Sequence, residues 1–241
     1  VNVQAIFRRD LSAYLHGYTG WIVLAAVLFI DGLLFNVYAM GAGEARYSHE
    51  VLSQFFHTTS GLVMVAAVLL SMRSVAEERQ DGTDVLLQTS VVSDLEIVAG
   101  KYLAAMAMLT LLVGLTAYLP GMIFINGKVS WGHVGVGYLG LWLLGSAVTS
   151  LGIFSSALFK SQLPAGVLTG VLTTALVTAW MLSDVTDPPF TEIAAYAALY
   201  DKHFQPFRDG RLLTSGVVYY ASVSGVFLWL TTRVLEGRRW E

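Results

Sequence analysis

Residues 53–72 read SQFFHTTSGLVMVAAVLLSM, and residues 73–101 continue as RSVAEERQDGTDVLLQTSVVSDLEIVAGK. The first stretch is long and apolar enough to cross a bilayer, since a span takes about 20 mostly apolar residues. The second gathers nine ionisable side chains before apolar sequence resumes at Tyr102. A chain that changes this sharply from apolar to charged and back is read as a membrane protein that holds one segment out for something in water.

The same reading extends in both directions along the 241 residues, which are 55% hydrophobic and 13% charged, against about 25% charged in soluble domains. Mean hydropathy is +0.63. The expected fold is all-α, a single polytopic membrane domain over residues 1–241. Its six transmembrane helices are expected at Trp21–Met40, Ser53–Met72, Tyr102–Phe124, Val134–Leu158, Leu163–Leu182 and Thr214–Arg233. Six crossings put both termini on one side. Of the 14 Lys and Arg residues, nine fall on that side and five on the other, so both termini are expected in the cytoplasm. The first span is expected to act as its own insertion signal, with no cleavable leader.

The formal charge of −3 and the absence of a basic stripe leave nucleic acid out as a partner; membrane lipid is the expected surroundings. Cysteine is absent, which excludes disulfides and thiolate metal sites.

Val3, Phe7, Leu11, Tyr14 and Tyr18 recur at helical spacing, with Arg8, Arg9 and Asp10 off that face, and predict an amphipathic helix lying in the membrane interface. Between the last two spans, Asp187-Pro188-Pro189 breaks the chain. Beyond it Ile193, Tyr196, Ala197, Leu199 and Tyr200 predict short amphipathic helices at the outer face, with Phe204 and Phe207 at the same depth.

The charged segment carries its own punctuation. Helical signals run from Ser74 to Gln80, Asp81-Gly82 offers a stop, and Thr83 is placed to cap a second short helix reaching Gln88. Ser93-Asp94-Leu95-Glu96 matches a capping box for the helix that becomes the third span. This geometry presents Glu77, Glu78, Arg79 and Asp84 beyond the lipid headgroups, as a docking surface or as an ordinary solvated loop.

Asp31 is the one acid deep within an expected span, at a cost of roughly 2.5–3.5 kcal/mol. Its roles are a substrate or proton site, or a structural pair with a Ser, Thr or Asn of a neighbouring span. Gly135-Val-Gly137-Tyr-Leu-Gly140 spells GxGxxG but follows no strand, so close helix packing through small residues is the reading. Pro120-Gly121 is a candidate kink. No GxSG, HExxH or Walker A sequence occurs, and the five histidines lie at or outside span ends. Neither proteolysis nor a metal centre is expected, and any ATP hydrolysis has to come from a partner.

The segment AEERQDGTDVLLQTSVVSDLEIVAGKYLAA resembles the region after the second span in permeases of ABC-2 type transporters. The likeness rests on Glu77, Glu78, Arg79, Gly82, Thr83, Leu86, Leu87, Glu96, Ile97, Val98, Gly100 and Lys101. The C-terminal stretch, through His203, Phe204, Phe207, Gly210, Tyr219, Phe227, Leu228, Leu235, Glu236, Arg238 and Trp240, is similar to the gliding-motility-associated branch of those permeases.

The resemblance implies a non-enzymatic transmembrane subunit of an ATP-driven exporter or envelope machine in a bacterial cytoplasmic (inner) membrane. It implies a cytoplasmic coupling helix near Arg73–Gln88, with Glu77, Glu78, Arg79, Gly82, Thr83 and Asp84 at the ATPase interface. No cofactor is expected on this chain; ATP and Mg belong to the partner. Expected partners are two cytoplasmic ABC ATPase subunits, a second copy or a homologous permease, and an accessory periplasmic subunit. The alternatives are an ATP-independent secondary transporter or channel that uses Asp31, and a membrane scaffold.

Overall fold

The computed structural model describes residues 2–39, 47–83, 92–126, 129–183 and 190–238. Every regular element among them is helical: α1 (Asn2–His16), α2 (Tyr18–Leu34), α3 (Ser48–Ser71), α4 (Ala76–Gln80), α5 (Asp94–Leu115), α6 (Tyr118–Asn126), α7 (Trp131–Leu158), α8 (Gln162–Val177), α9 (Ala179–Ser183), α10 (Phe190–Ala197), α11 (Gln205–Arg208) and α12 (Thr214–Arg238). A π-helical turn, Phe35–Ala39, extends α2.

Five helical stretches among the described residues are long and apolar enough to cross a membrane: Tyr18–Tyr38, Ser48–Gln80, Asp94–Phe124, Trp131–Leu158 and Thr214–Arg238. Where the sequence predicts a fifth span at Leu163–Leu182, the chain forms the 16-residue α8 and the five-residue α9, parted at Thr178. At that point Thr178 N and Oγ1 both donate to Thr174 O, at 2.9 and 2.8 Å.

The third span breaks too. α5 ends at Leu115 and α6 begins at Tyr118, because the Pro120 ring crowds the carbonyl four residues earlier, at Thr116. The disturbance therefore falls ahead of Pro120-Gly121.

At the centre stands α7, the most deeply buried of the long helices among the described residues, while α12 and α2 are mostly exposed. It packs on α12, α3, α8 and α5. Small residues make this possible. A Cβ on Gly137 would lie 2.2 Å from the Phe56 ring, and one on Gly140 2.5 Å from Phe207 Cβ. The glycine-rich stretch thus works as a packing face. The core around it contains Leu52, Phe55, Phe56, Leu109, Leu112, Leu141, Leu144 and Tyr220.

At one end of the bundle, α1 lies along α5, with Ile6 buried. At the other, Phe204 and Phe207 are fully buried beside α7. Tyr219 and Tyr220 of α12 donate to Ala197 O and Leu199 O, each at 2.7 Å. Between α9 and α12 the described chain forms the two short helices α10 and α11.

Candidate coupling site at the charged end

After α3 the chain turns through Met72–Val75 into α4. Glycine ends that short helix. Gly82 has φ +69°, and Thr83 N and Gly82 N donate to Glu78 O (2.8 Å) and Arg79 O (3.3 Å), the two bonds of a Schellman cap. Thr83 Oγ1 also turns back to Glu78 O at 3.2 Å. Thr83 thus closes α4; the second short helix expected through Gln88 lies outside the described residues, as do Asp84, Leu86 and Leu87. The first amides of α4 are met from another helix. Ser156 Oγ on α7 accepts from Val75 N (3.0 Å) and Ala76 N (2.9 Å) and donates to Met72 O (2.9 Å).

Glu77, Glu78 and Arg79 all turn to partners within the chain. Glu77 pairs with Arg73 at 2.6 Å, one helical turn away. Glu78 meets Arg9 of α1 and Lys101 Nζ of α5 at 2.9 Å. Lys101 is only 2% exposed and has two further partners, Asp10 Oδ2 at 3.1 Å and Ser74 O at 2.7 Å. Two carboxylates and a carbonyl around one ammonium are the kind of compensation a buried charge requires. Arg79 Nη1 donates to Ala157 O (2.9 Å) and Phe159 O (3.4 Å), at the C-terminal end of α7, where free carbonyls favour a cation. Four exposed residues, Gln80–Thr83, remain as the projecting tip.

The neighbouring motif residues have equally local reasons. Ser93 Oγ accepts from Glu96 N (3.3 Å), and Ser93 N donates to Glu96 Oε2 (3.0 Å), so the two form a capping box on α5. A Cβ on Gly100 would lie 2.8 Å from Ile6 Cβ; glycine there admits α1. Tyr14 donates to Leu70 O at 2.7 Å, and burial, reinforced by nearby Asp10, pushes its phenol up and keeps it a donor. Arg9, Asp10 and Ser156 carry no motif signal, because their partners lie 69 to 91 residues away.

Asp31 is remote from this cluster. It is fully buried and accepts from Thr59 Oγ1 of α3 at 2.8 Å. Among the described residues no group of three or more His, Cys, Asp or Glu could hold a metal.

Long apolar helices around a glycine-lined centre, with a charged end tied to three of them, define a multi-pass helical membrane protein. The family model described as "ABC-2 family transporter protein" matches residues 32–206, well over half the chain, and the chain belongs to that family. No curated protein matches it. Membership makes it consistent with a permease subunit. In this family the membrane domain is not the catalyst and works with an ABC ATPase.

Proposed function

We propose that this chain is the permease subunit of an ATP-driven exporter or envelope machine. Its tip at Gln80–Thr83 receives a cytoplasmic ABC ATPase, and the residues behind the tip pass the movement inward. The observation that carries this reading is that one five-residue helix is bonded to three others: Glu78 to α1 and α5, Arg79 and the start of α4 to α7. A push on the tip acts on all three.

Glu77, Glu78 and Arg79 therefore act as the lever's internal fastenings, and Asp81, Gly82 and Thr83 as its outward contact. ATP and Mg bind to the partner, and ATP supplies the difference in free energy between the two states of the permease. The broken α8–α9 pair serves as a sixth crossing, which puts both termini in the cytoplasm and α1 in the interface of a bacterial inner membrane. Two ATPases, a second permease copy and an outer accessory subunit complete the assembly. The C-terminal likeness is what supports the gliding-motility-associated branch.

The test is affinity purification in mild detergent of the wild-type chain and of a double variant, Asp81→Arg with Thr83→Arg. ATPase activity is expected to accompany the wild type and to be lost from the variant, with unchanged thermal unfolding of the bundle. Equal recovery from both moves the docking surface elsewhere; no ATPase with either sinks the ATP-driven reading.

A further inference from the structure

Among the described residues, two deeply buried titratable groups, Lys101 and Asp31, are treated in opposite ways. Lys101 has three partners. Asp31 has one. Its Oδ1 accepts from Thr59 Oγ1 at 2.8 Å, while Oδ2, equally buried, has no hydrogen-bond partner and leaves no surface for water. Asp31 stands about 20 Å along α2 from Tyr18, at 1.5 Å per residue, in the interior of a helical stretch long and apolar enough to cross a bilayer.

The groups that face it among the described residues are neutral. On α7, the Tyr138 hydroxyl lies within its electrostatic reach and pairs with Thr116 Oγ1 at 3.2 Å. The Tyr118 hydroxyl of α6 comes 3.2 Å from where a Cβ on adjacent Gly32 would sit. The nearest histidine on α3, His57, turns to Tyr200. None of the ion pairs among the described residues includes Asp31. A carboxylate with one neutral hydroxyl, no cation among the described residues and no exposed surface takes up a proton instead of holding its charge.

We propose that Asp31 is a proton-binding site, held as the neutral acid while α2 packs on α3. It ionises when the two helices separate: the O–H bond breaks, the proton goes to water and the carboxylate remains. The packed state then holds the extra proton, so falling pH favours packing and rising pH favours separation. This reading goes beyond ATP coupling and stands or falls independently of it.

The experiment is infrared spectroscopy of the full chain in lipid vesicles, with aspartate carrying ¹³C at the side-chain carboxyl. At neutral pH a protonated-acid carbonyl band is expected that shifts with the label, moves again in Thr59→Val as the bond to Oδ1 is lost, and is missing from Asp31→Asn. The wild-type titration decides even if a variant fails to insert. A band that survives neutral pH supports the proposal. A labelled band absent at neutral pH, or lost as pH rises through the ordinary aspartate value near about 4, overturns it, as does a band unmoved by Thr59→Val in a folded protein.

Discussion

The two ends of this helix bundle are closed by different physics. At the charged end Lys101, Asp10, Glu78 and Arg9 join α1, α4 and α5 through directed polar bonds. At the opposite end rings do the work. His203 stacks on Tyr219 with centroids 3.7 Å apart, Tyr200 lies 5.2 Å from Phe204, and Phe207 fills the space left by Gly140 and Gly216. Ring packing is insensitive to salt and has a steep cavity cost. Ionic closure has few bonds, each replaceable by water once the cluster opens.

The sharpest challenge to this contrast is Phe207→Ala, which empties a fully buried site and is expected to cost about 3–5 kcal/mol, read from chemical unfolding in detergent. Lys101→Met keeps volume but leaves Asp10 and Glu78 with Arg9 as their one shared cation. Since Asp10 and Glu78 keep 15% and 18% of their side-chain surface, the loss should be about 2–3 kcal/mol, smaller than for the ring. If Lys101→Met cost more than Phe207→Ala, the ionic end would be the rigid one.

Ser156→Ala tests the bond from α7 to α4. Two buried amides lose their acceptor, for a loss of about 1–3 kcal/mol and earlier proteolysis near the tip. Arg9→Gln should cost under about 1 kcal/mol, because that side chain is 50% exposed and surface pairs contribute little. Its effect should shrink further in high salt, while that of Phe207→Ala should not change.

The ring end has its own signature in pH. Burial pushes the His203 imidazole below its ordinary value, with Lys202 acting the same way against the bond to Tyr196 O. A base whose folded value is depressed contributes stability above its unfolded value, near about 6.5. That contribution fades as pH falls toward the folded value. Melting of the wild type should therefore drop more between neutral and mildly acidic pH than melting of His203→Gln; parallel curves would remove His203 from this role.

Much of the charged end was legible locally. The Ser93 and Glu96 cap, the Gly82 stop and the apolar runs on either side depend on near neighbours and fixed spacings. The direction of Glu77, Glu78 and Arg79 was not. Their types suit a partner surface as well as an internal cluster; Glu77 pairs with Arg73 one turn away, while only the arrival of α1, α5 and α7 turns Glu78 and Arg79 inward. The break within the fifth expected span was not legible either. Leu163–Leu182 has the hydropathy of a span, yet hydropathy does not register the parting of the helix at Thr178.

By itself, the sequence determined an all-helical membrane chain with a water-facing charged segment, because bilayer thickness sets the length of an apolar run and charge is costly within it. It also determined where close packing was possible, since glycine at 137, 140 and 100 removes the Cβ that would hold another segment away. Which residues met there was decided by tertiary structure alone. Lys101 with Asp10, Ser156 with α4 and Asp31 with Thr59 are bonds across 28 to 91 residues. Only the helices, once packed, bring such distant groups within hydrogen-bond reach.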